Sequence, residues 1–359
     1  MPGFNQAYID LYAVPRMTET RLKHLLQHFG EPQAILEARA DELLQVENID
    51  AELARAVLEY RRSDETGQKI GLALELGVWT TSWLEPDYPA NLKQLVHMPP
   101  VLFGRGELTE DDRLAVAVVG TRRPSPYGKM VSERLAAELA RHGVTVVSGL
   151  ARGIDTFAHR SAIQAGGRTI GVLGCGIDVT YPPENRGLYE EVVTCGAIIS
   201  EFTLGMEPMA MNFPKRNRIV SGLAKAVVAV EAGDKSGVLN TAAWAADQGR
   251  DVYAVPGRVT EERSAGTNRL LREGARPVTS AQDILADLGV ALHLEERAKV
   301  DVTDQEKPAL ELLSGDPLHV DEICQELGVP VAALLSTLMQ LEMKGLVRQL
   351  PGKLFVRQY

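Results

Sequence analysis

The sequence predicts an α/β fold in which a doubly wound parallel sheet lies between two small helical domains. Short β-branched apolar runs recur between helical segments from 113 to 290, and a glycine-bearing loop follows each run. This alternation is typical of a Rossmann-like sheet. Helical patterns precede it, and three helices with a hairpin follow it. We therefore expect an N-terminal helical domain over 1–65, an extended Rossmann-like domain over 66–295 and a winged-helix domain over 300–359.

The bulk composition is that of an ordinary soluble protein. The chain has 359 residues, of which 45% are hydrophobic and 24% charged, enough for two or three domains. No apolar run approaches the ~18 residues of a membrane span, and the start, MPGFNQAYID, does not resemble a signal peptide. A cytoplasmic location without a membrane partner is expected. Cys175, Cys195 and Cys324 are widely spaced, which favours reduced, mostly buried thiols over disulfides or zinc ligation.

The net charge of −10 argues against general nucleic-acid binding. An acidic molecule repels polyanions at long range, so such binding requires a concentrated basic patch. The question for the rest of the chain is whether one exists.

Residues 7–62 are predicted to form a small helical domain of the SAM or helix-hairpin-helix type. A helical pattern ends at Gly30, a C-cap candidate, and two amphipathic pieces follow at 35–46 and 51–62. The candidate hairpin, 47–50, has two acids and no glycine to offer backbone amides to phosphate. Seven basic residues against ten acidic ones favour a scaffold or protein-contact role, with direct DNA contact as the alternative.

Residues 72–112 are predicted to connect this domain to the sheet. Proline pairs occur at 86–89 and 99–100, and proline can continue neither a helix nor a central strand. We therefore expect a connecting segment with one edge strand.

The doubly wound sheet is predicted to contain six parallel strands. Their positions are 114–119, 144–147, 168–173, 196–200, 225–230 and 251–255. Ligands of such sheets bind outside the carboxyl ends of the strands, so the loops after the strands form one surface.

Basic residues, glycines and small hydroxyl residues collect in these loops. Glycines admit close backbone approach, helix N-termini carry partial positive charge, and arginines present forked donors, all of which suit phosphate. Arg123 contributes to the same basic rim. The predicted site residues are Gly120, Thr121, Arg122, Ser148, Gly149, Arg152, Gly153, Tyr181, Asn185, Arg186, Phe213, Lys215, Arg216, Asn217, Arg218, Lys235, Ser236 and Asn268.

The loops do not match the usual small-ligand or catalytic motifs. The first loop lacks G-x-G-x-x-G, Lys235-Ser236 lacks the glycine of a P-loop, and no G-x-S-x-G is present. His24 and His28 lack a third metal ligand. We therefore predict no catalytic residue, no cofactor and no metal. A rim able to hold several consecutive phosphates suits single-stranded DNA. Phe213, Tyr181 and Tyr127 either stack on bases or belong to the core.

Six ordered motifs resemble the DprA family, also called Smf, the DNA-processing proteins of bacterial natural transformation. They are 120–122, 148–155, 174–185, 213–223, 236–242 and 264–275. The resemblance implies a homodimer that binds and protects incoming single-stranded DNA and loads RecA recombinase on it, with single-strand-binding protein as a further candidate partner. The family's GxR arginine corresponds to Arg122 and its FPxRNR cluster to 213–218. This chain departs from the family in lacking a glycine hairpin near its start and in having Thr121 for serine.

The last module presents two alternatives. Three helical patterns and a hairpin around Pro351-Gly352 are typical of a winged helix. Over 300–359 there are five basic and nine acidic residues, yet 344–359 holds four basic residues and no acid. Either the wing contacts DNA phosphates, or the module binds protein.

An enzymatic alternative is a nucleoside-phosphate hydrolase with a Rossmann-like sheet. Such enzymes carry a PGGxGT signature, which Pro256-Gly257-Arg258 breaks. Release of free base from nucleoside monophosphates would distinguish this alternative.

Overall fold

The computed structural model describes residues 2–290, 302–314 and 317–357. These fall into two compact units. One unit contains the N-terminal helices and a nine-stranded sheet, and the other contains a three-stranded sheet with three helices. Each unit has its own hydrophobic core. Within these residues, no single helix combines the length and apolar character needed to cross a membrane.

Six helices precede the first strand. The predicted helix before Gly30 is confirmed. It is the second of the six, it is capped by Thr18, and it ends where Gly30 adopts φ +79°. The amphipathic piece at 35–46 forms two short helices rather than one. The helices are α1 (Ala7–Ala13), α2 (Glu19–Phe29), α3 (Pro32–Glu37), α4 (Ala40–Leu43), α5 (Ala51–Leu58) and α6 (Asp64–Glu75). The buried leucines and isoleucines of this segment, among them Leu22, Ile35 and Leu53, share one core with the sheet. The 65/66 domain boundary stays a prediction.

The expectation for residues 72–112 is wrong, because this segment supplies two strands. They are β1 (Trp79–Ser82) and β2 (Val101–Gly106), with the short helix α7 (Ala90–Lys93) between them. β2 pairs antiparallel with β1 and with a parallel strand of the main sheet, so it is an interior strand. The prolines occupy the connection between the two strands, where they interrupt no hydrogen-bond ladder.

The six predicted parallel strands are confirmed, each within one or two residues. They are β3 (Ala115–Val119), β4 (Thr145–Ser148), β5 (Thr169–Val172), β6 (Ala197–Ser200), β7 (Ala226–Ala229) and β8 (Asp251–Ala254), followed by the two-residue β9 (Arg276–Pro277). The accompanying helices are α8 (Pro126–Arg141), α9 (Ile154–Gln164), α10 (Arg186–Cys195), α11 (Asn212–Leu223), α12 (Gly237–Asp247), α13 (Ala265–Arg272) and α14 (Ala281–Asp287). β3 to β7 are buried throughout, which explains why they are apolar except for a threonine or serine at the ends of β4, β5 and β6.

The strand order is β1-β2-β6-β5-β4-β3-β7-β8-β9. From β3 the chain moves outward through β4, β5 and β6, and then returns to the other side of β3 as β7. This reversal leaves a crevice beyond the carboxyl ends of β3 and β7, where ligands of doubly wound sheets bind. At one outer edge of the sheet, the amide of Thr80 in β1 donates a hydrogen bond to the Gly3 carbonyl. At the other, β9 ends in Pro277.

The second unit is a winged helix, as predicted. Its elements are α15 (Lys307–Leu312), β10 (Leu318–His319), α16 (Val320–Leu327), α17 (Val331–Met343), β11 (Val347–Leu350) and β12 (Leu354–Arg357). The predicted hairpin turns at Pro351-Gly352, and β12 lies between β10 and β11. The short strand β10 was not predicted.

Candidate functional site

A cavity of about 1010 Å³ opens at the crevice beside the carboxyl ends of β3, β4 and β7. More than half of the predicted site residues line it, and all come from loops or helix starts that follow strands. They are Gly120, Thr121, Arg122, Gly149, Tyr181, Phe213, Arg216, Asn217, Lys235 and Ser236. The convergence follows from topology, since parallel strands all end at the same edge of the sheet.

The loop after β3 forms one wall and requires glycine. A Cβ on Gly120 would lie 2.4 Å from Cγ1 of Ile154 in the first turn of α9. The Thr121 amide donates to the Glu231 carbonyl (2.8 Å), and the Thr121 carbonyl accepts from Ile154 (3.2 Å). These bonds fix the backbone that presents the exposed Arg122 to the cavity. Its guanidinium carbon lies 5.5 Å from the ring centre of Phe213, a cation–π geometry.

The loop after β4 forms the floor, with an aspartate that the site prediction omitted. Asp155 accepts hydrogen bonds from the amides of Gly149 (3.1 Å) and Ala151 (3.4 Å). Burial raises the pKa of Asp155, and the nearby Arg216 opposes that shift. Asp155 is the last residue of the motif at 148–155, so its place in the loop was visible in the sequence. Ser148 lies beneath this layer, fully buried, and donates to the Val118 carbonyl (2.6 Å).

Arg216, on α11, supports the floor from below. Its guanidinium is buried and donates to the carbonyls of Gly149 (2.7 Å) and Val172 at the ends of β4 and β5. A Cβ on Gly149 would lie 2.4 Å from the guanidinium, so only glycine fits above it. Burial lowers the pKa of Arg216, while Asp155 favours its charged form. Arg216 therefore lines the cavity and also holds the strand ends together.

Two cations of the same helix point elsewhere. Arg218 forms a bidentate ion pair with Glu201 (3.0 and 2.6 Å), and both side chains are buried. Lys215 pairs with Glu19 of α2 and lies 3.5 Å from Glu201. Neither lines the cavity. The expectation that both side chains belong to the basic rim is wrong. A helix distributes successive residues over different faces, so they do not all reach the same surface.

Three predicted residues lie to the side of the cavity, Arg152 in the loop after β4 and the other two after β5. Arg152 is half-exposed, pairs with Glu184 (3.1 Å), and lines a small adjoining pocket with Arg122 and Tyr181. Asn185 is buried and donates to the Leu150 carbonyl (2.9 Å). Arg186 is exposed at the start of α10, outside the cavity lining. Of these three residues, Arg152 alone lines a pocket that adjoins the cavity.

The wall beyond β7 carries the second exposed cation of the cavity, Lys235. Ser236 caps α12 by accepting from the Val238 amide (3.3 Å). Asn268, outside the lining, exchanges two hydrogen bonds with the backbone of Gly257 (3.0 and 3.2 Å) and so holds the neighbouring loop. Carboxylates of Asp234 and Glu262 also border this wall.

Two of the three candidate aromatic side chains lie together at the mouth. The rings of Tyr181 and Phe213 are 5.5 Å apart and partly exposed. Tyr127 is exposed in the first turn of α8 but does not line the cavity. Arg122, Phe213 and Tyr181 thus form one contiguous surface of a cation and two rings.

Behind the floor, His159 of α9 predicts a pH dependence of stability. The Thr169 hydroxyl donates to the Val146 carbonyl, so Nδ1 of His159 donates to the Thr169 oxygen (2.6 Å). Burial, together with the Arg216 charge, lowers the pKa of His159 to about 3. Unfolded histidine titrates near 6.5, so the unfolded chain binds the proton first. The free energy of unfolding that depends on a neutral His159 is therefore fully present above pH ~6.5 and decreases as the pH falls below that value.

When the pH is lowered from 7 to 5, we expect the free energy of unfolding to decrease by about 2 kcal/mol because the unfolded chain binds a proton at His159 and the folded chain does not. Urea denaturation of the wild-type chain and of His159→Gln at both pH values measures it. The variant is less stable at pH 7, but its loss on acidification is smaller. Equal losses in both chains would contradict a neutral buried imidazole.

Comparison with known proteins places this arrangement in a family. The family model for DNA recombination-mediator protein A matches residues 79–289, and that for the DprA winged helix domain matches 294–353. A Synechocystis protein named Smf is 32% identical over 94% of both chains. The Escherichia coli protein Smf is 40% identical over 74% of each chain.

Two solved structures are similar in fold. DNA processing protein A from Streptococcus pneumoniae has a TM-score of 0.69 at 32% identity, covering 81% of this chain and all of that one. A Helicobacter pylori structure, described as revealing the single-stranded DNA binding mode of DNA processing protein A, has a TM-score of 0.53 at 33% identity, covering 59% and 95%. By sequence and by fold, this chain belongs to the DNA recombination-mediator protein A family, whose members are named DprA and Smf.

Proposed function

We propose that this chain binds single-stranded DNA at the cavity between β3 and β7, protects it, and delivers it to the RecA recombinase as a homodimer. The observation that carries the proposal is the convergence of Arg122 and Lys235 on opposite walls of one open cavity whose floor is the loop after β4. The Helicobacter pylori relative, whose structure is described as showing a single-stranded DNA binding mode, supports the binding part of this proposal. Natural transformation in the cytoplasm is the setting that the family relationship suggests.

The geometry favours an unpaired strand over a duplex. Arg122 and Lys235 provide charge for phosphates on two sides, while the rings of Phe213 and Tyr181 are accessible at the mouth. In a duplex the base faces are stacked on one another, whereas in a single strand they are free to stack on protein rings. Flexible phosphates can then follow the loops from β3 to β7.

We infer that the buried carboxylate of the cavity floor, Asp155, serves binding rather than catalysis. Both amides that contact it donate to the same oxygen, Oδ2, and Arg216 lies nearby. These contacts suit a carboxylate that organises the loop after β4, while Asp234 and Glu262 border the wall beyond β7. Incubation with nucleoside monophosphates tests this inference, and release of free base at enzymatic rates would refute it.

Arg122→Ala and Lys235→Ala are each expected to weaken single-stranded DNA binding about tenfold at low salt, whatever the sequence. Each should also lower the slope of log affinity against log salt by about one, because one phosphate contact is lost. Anisotropy titrations of a labelled oligonucleotide at three salt concentrations measure both quantities. Lys215→Ala should matter less, since Glu19 already pairs with that ammonium.

The matched control is Arg141→Ala. Arg141 is exposed in the last turn of α8, at the edge of the sheet opposite the cavity, so its removal changes net charge equally. If both cavity variants bind like this control, the proposed site is wrong. Delivery to RecA is tested separately, by the rate at which RecA assembles on DNA covered with single-strand-binding protein.

A further inference from the structure

The helix α11 has two faces with different surroundings. Phe213, Asn217 and Val220 line the cavity, and at 3.6 residues per turn these three positions lie within about 60° of one another. Lys215 and Arg218 lie on the opposite side of the helix, and neither lines the cavity. The orientation of the cavity face therefore depends on what holds the other face.

Two carboxylates from distant parts of the chain hold that other face. Glu201, which directly follows β6, binds Arg218 through both of its oxygens. Glu19, the first residue of α2, pairs with Lys215 and lies 3.7 Å from Arg218. Glu201 also lies 3.5 Å from Lys215. The four side chains form a closed cluster of two negative and two positive charges.

Glu19 is the member of this cluster that the N-terminal helices contribute. Thr18 caps α2 immediately before it, and a carboxylate in the first turn of a helix is favoured by the helix dipole. The buried leucines of α2 belong to the core that these helices share with the sheet. Glu19 therefore presents its carboxylate to Lys215 from a rigid support.

We propose that Glu19 is a positioning residue for the DNA site. By holding Lys215, it fixes the rotation of α11 about its own axis. That rotation sets the place of Phe213 at the mouth, where its ring lies beside Arg122 and Tyr181. The inference rests on the proposed function, because the site that is positioned is the one assigned to single-stranded DNA. It gives the N-terminal helices a part in DNA binding without any DNA contact of their own.

Glu19→Gln in the full-length chain tests the proposal, because it keeps the size of the side chain and removes its charge. With Lys215 released and α11 less firmly held, affinity for a labelled single-stranded oligonucleotide should fall about fivefold. The slope of log affinity against log salt should stay unchanged, since Glu19 contributes no phosphate contact. Removal of a negative charge would by itself raise the affinity for DNA, so the sign of the change separates positioning from general electrostatics.

A second variant tests whether the effect passes through Lys215. Lys215→Gln breaks the same contact from the other side, so the double variant Glu19→Gln with Lys215→Gln should bind no more weakly than the weaker single variant. Losses that simply multiply in the double variant would mean that the two residues act independently, and would overturn the proposal.

Glu59→Gln is the matched control. Glu59 pairs with Arg55 (2.7 Å) on the exposed surface of α5, so the variant removes the same charge from the same group of helices. Its DNA affinity should stay within about twofold of wild type. Thermal unfolding of every variant checks the fold. A merely stabilising role for Glu19 would lower the unfolding temperature and leave DNA affinity unchanged, which would overturn the proposal.

Hydrogen exchange provides an independent measurement, because coupling between two parts of a protein is reciprocal. A bound oligonucleotide should slow amide exchange in α2 of the wild-type chain, and should slow it less in Glu19→Gln. Unchanged exchange in α2 on DNA binding would overturn the proposal. Affinity that depends on Arg122 but not on Glu19 would refute this inference alone, whereas a wild-type chain that binds no single-stranded DNA would refute the proposed function as well.

Discussion

Arg218→Ala is expected to lower the free energy of unfolding by about 3–5 kcal/mol, the usual cost of removing one partner of a buried ion pair. Glu201 is only 1% exposed and would lose both of its strong hydrogen bonds. Burial already raises the pKa of Glu201, and the Arg218 charge is the main influence that opposes this shift. Lys215, at 3.5 Å from Glu201, compensates only in part because it also pairs with Glu19.

Chemical denaturation of three variants separates this cause from general damage. Arg123→Ala, at an exposed arginine of the rim, should change stability by no more than about 0.5 kcal/mol. Arg218→Ala combined with Glu201→Leu should recover much of the loss, because no unpaired charge remains buried. A single variant as stable as Arg123→Ala would mean that the pair contributes nothing.

Gly153→Ala is expected to damage both stability and the cavity. Gly153 adopts φ +79° and ψ −127°, a conformation open essentially to glycine alone. An added Cβ would lie 2.4 Å from the Thr121 carbonyl oxygen and 2.9 Å from the Arg122 Cα. These are backbone atoms, so the loop that carries Arg122 has to move. We expect a loss of about 1–3 kcal/mol in stability and of at least tenfold in affinity for single-stranded DNA.

Gly166→Ala is the matched control. Gly166 has φ +76°, but a Cβ there would meet nothing within 4 Å. It should cost about 1 kcal/mol through backbone strain alone and leave DNA affinity unchanged. Denaturation and anisotropy titrations on both variants provide the comparison. Equal DNA affinity in the two variants would show that the loop tolerates the displacement.

The parallel part of the fold was predictable because it depends on local pattern. A strand buried on both faces is apolar over most of its length, and a loop that closes on a neighbouring helix must contain glycine. Gly120 and Gly149 illustrate the second rule, since each meets a side chain from another segment at under 3 Å. These constraints are visible in a single sequence, and topology then brings the loops together.

The orientation of the basic residues was not predictable. Arg216 and Arg218 are two residues apart on α11, yet one lines the cavity floor and the other pairs with Glu201. The partner of Lys215, Glu19, is 196 positions away in the sequence. Similarly, β2 contains two glycines and an arginine within a short run, so its interior position depends on pairing with β6 rather than on its own composition.

The two margins of the nine-stranded sheet bear on how the chain behaves at high concentration. At one margin, β9 is only two residues long, and Pro277 has no amide hydrogen to offer an incoming strand. At the other, the amide of Thr80 in β1 is already taken by Gly3. Sheets that expose long open margins recruit further chains and aggregate. Here neither margin offers a continuous ladder, so the folded protein resists edge-to-edge polymerisation even where many copies crowd together.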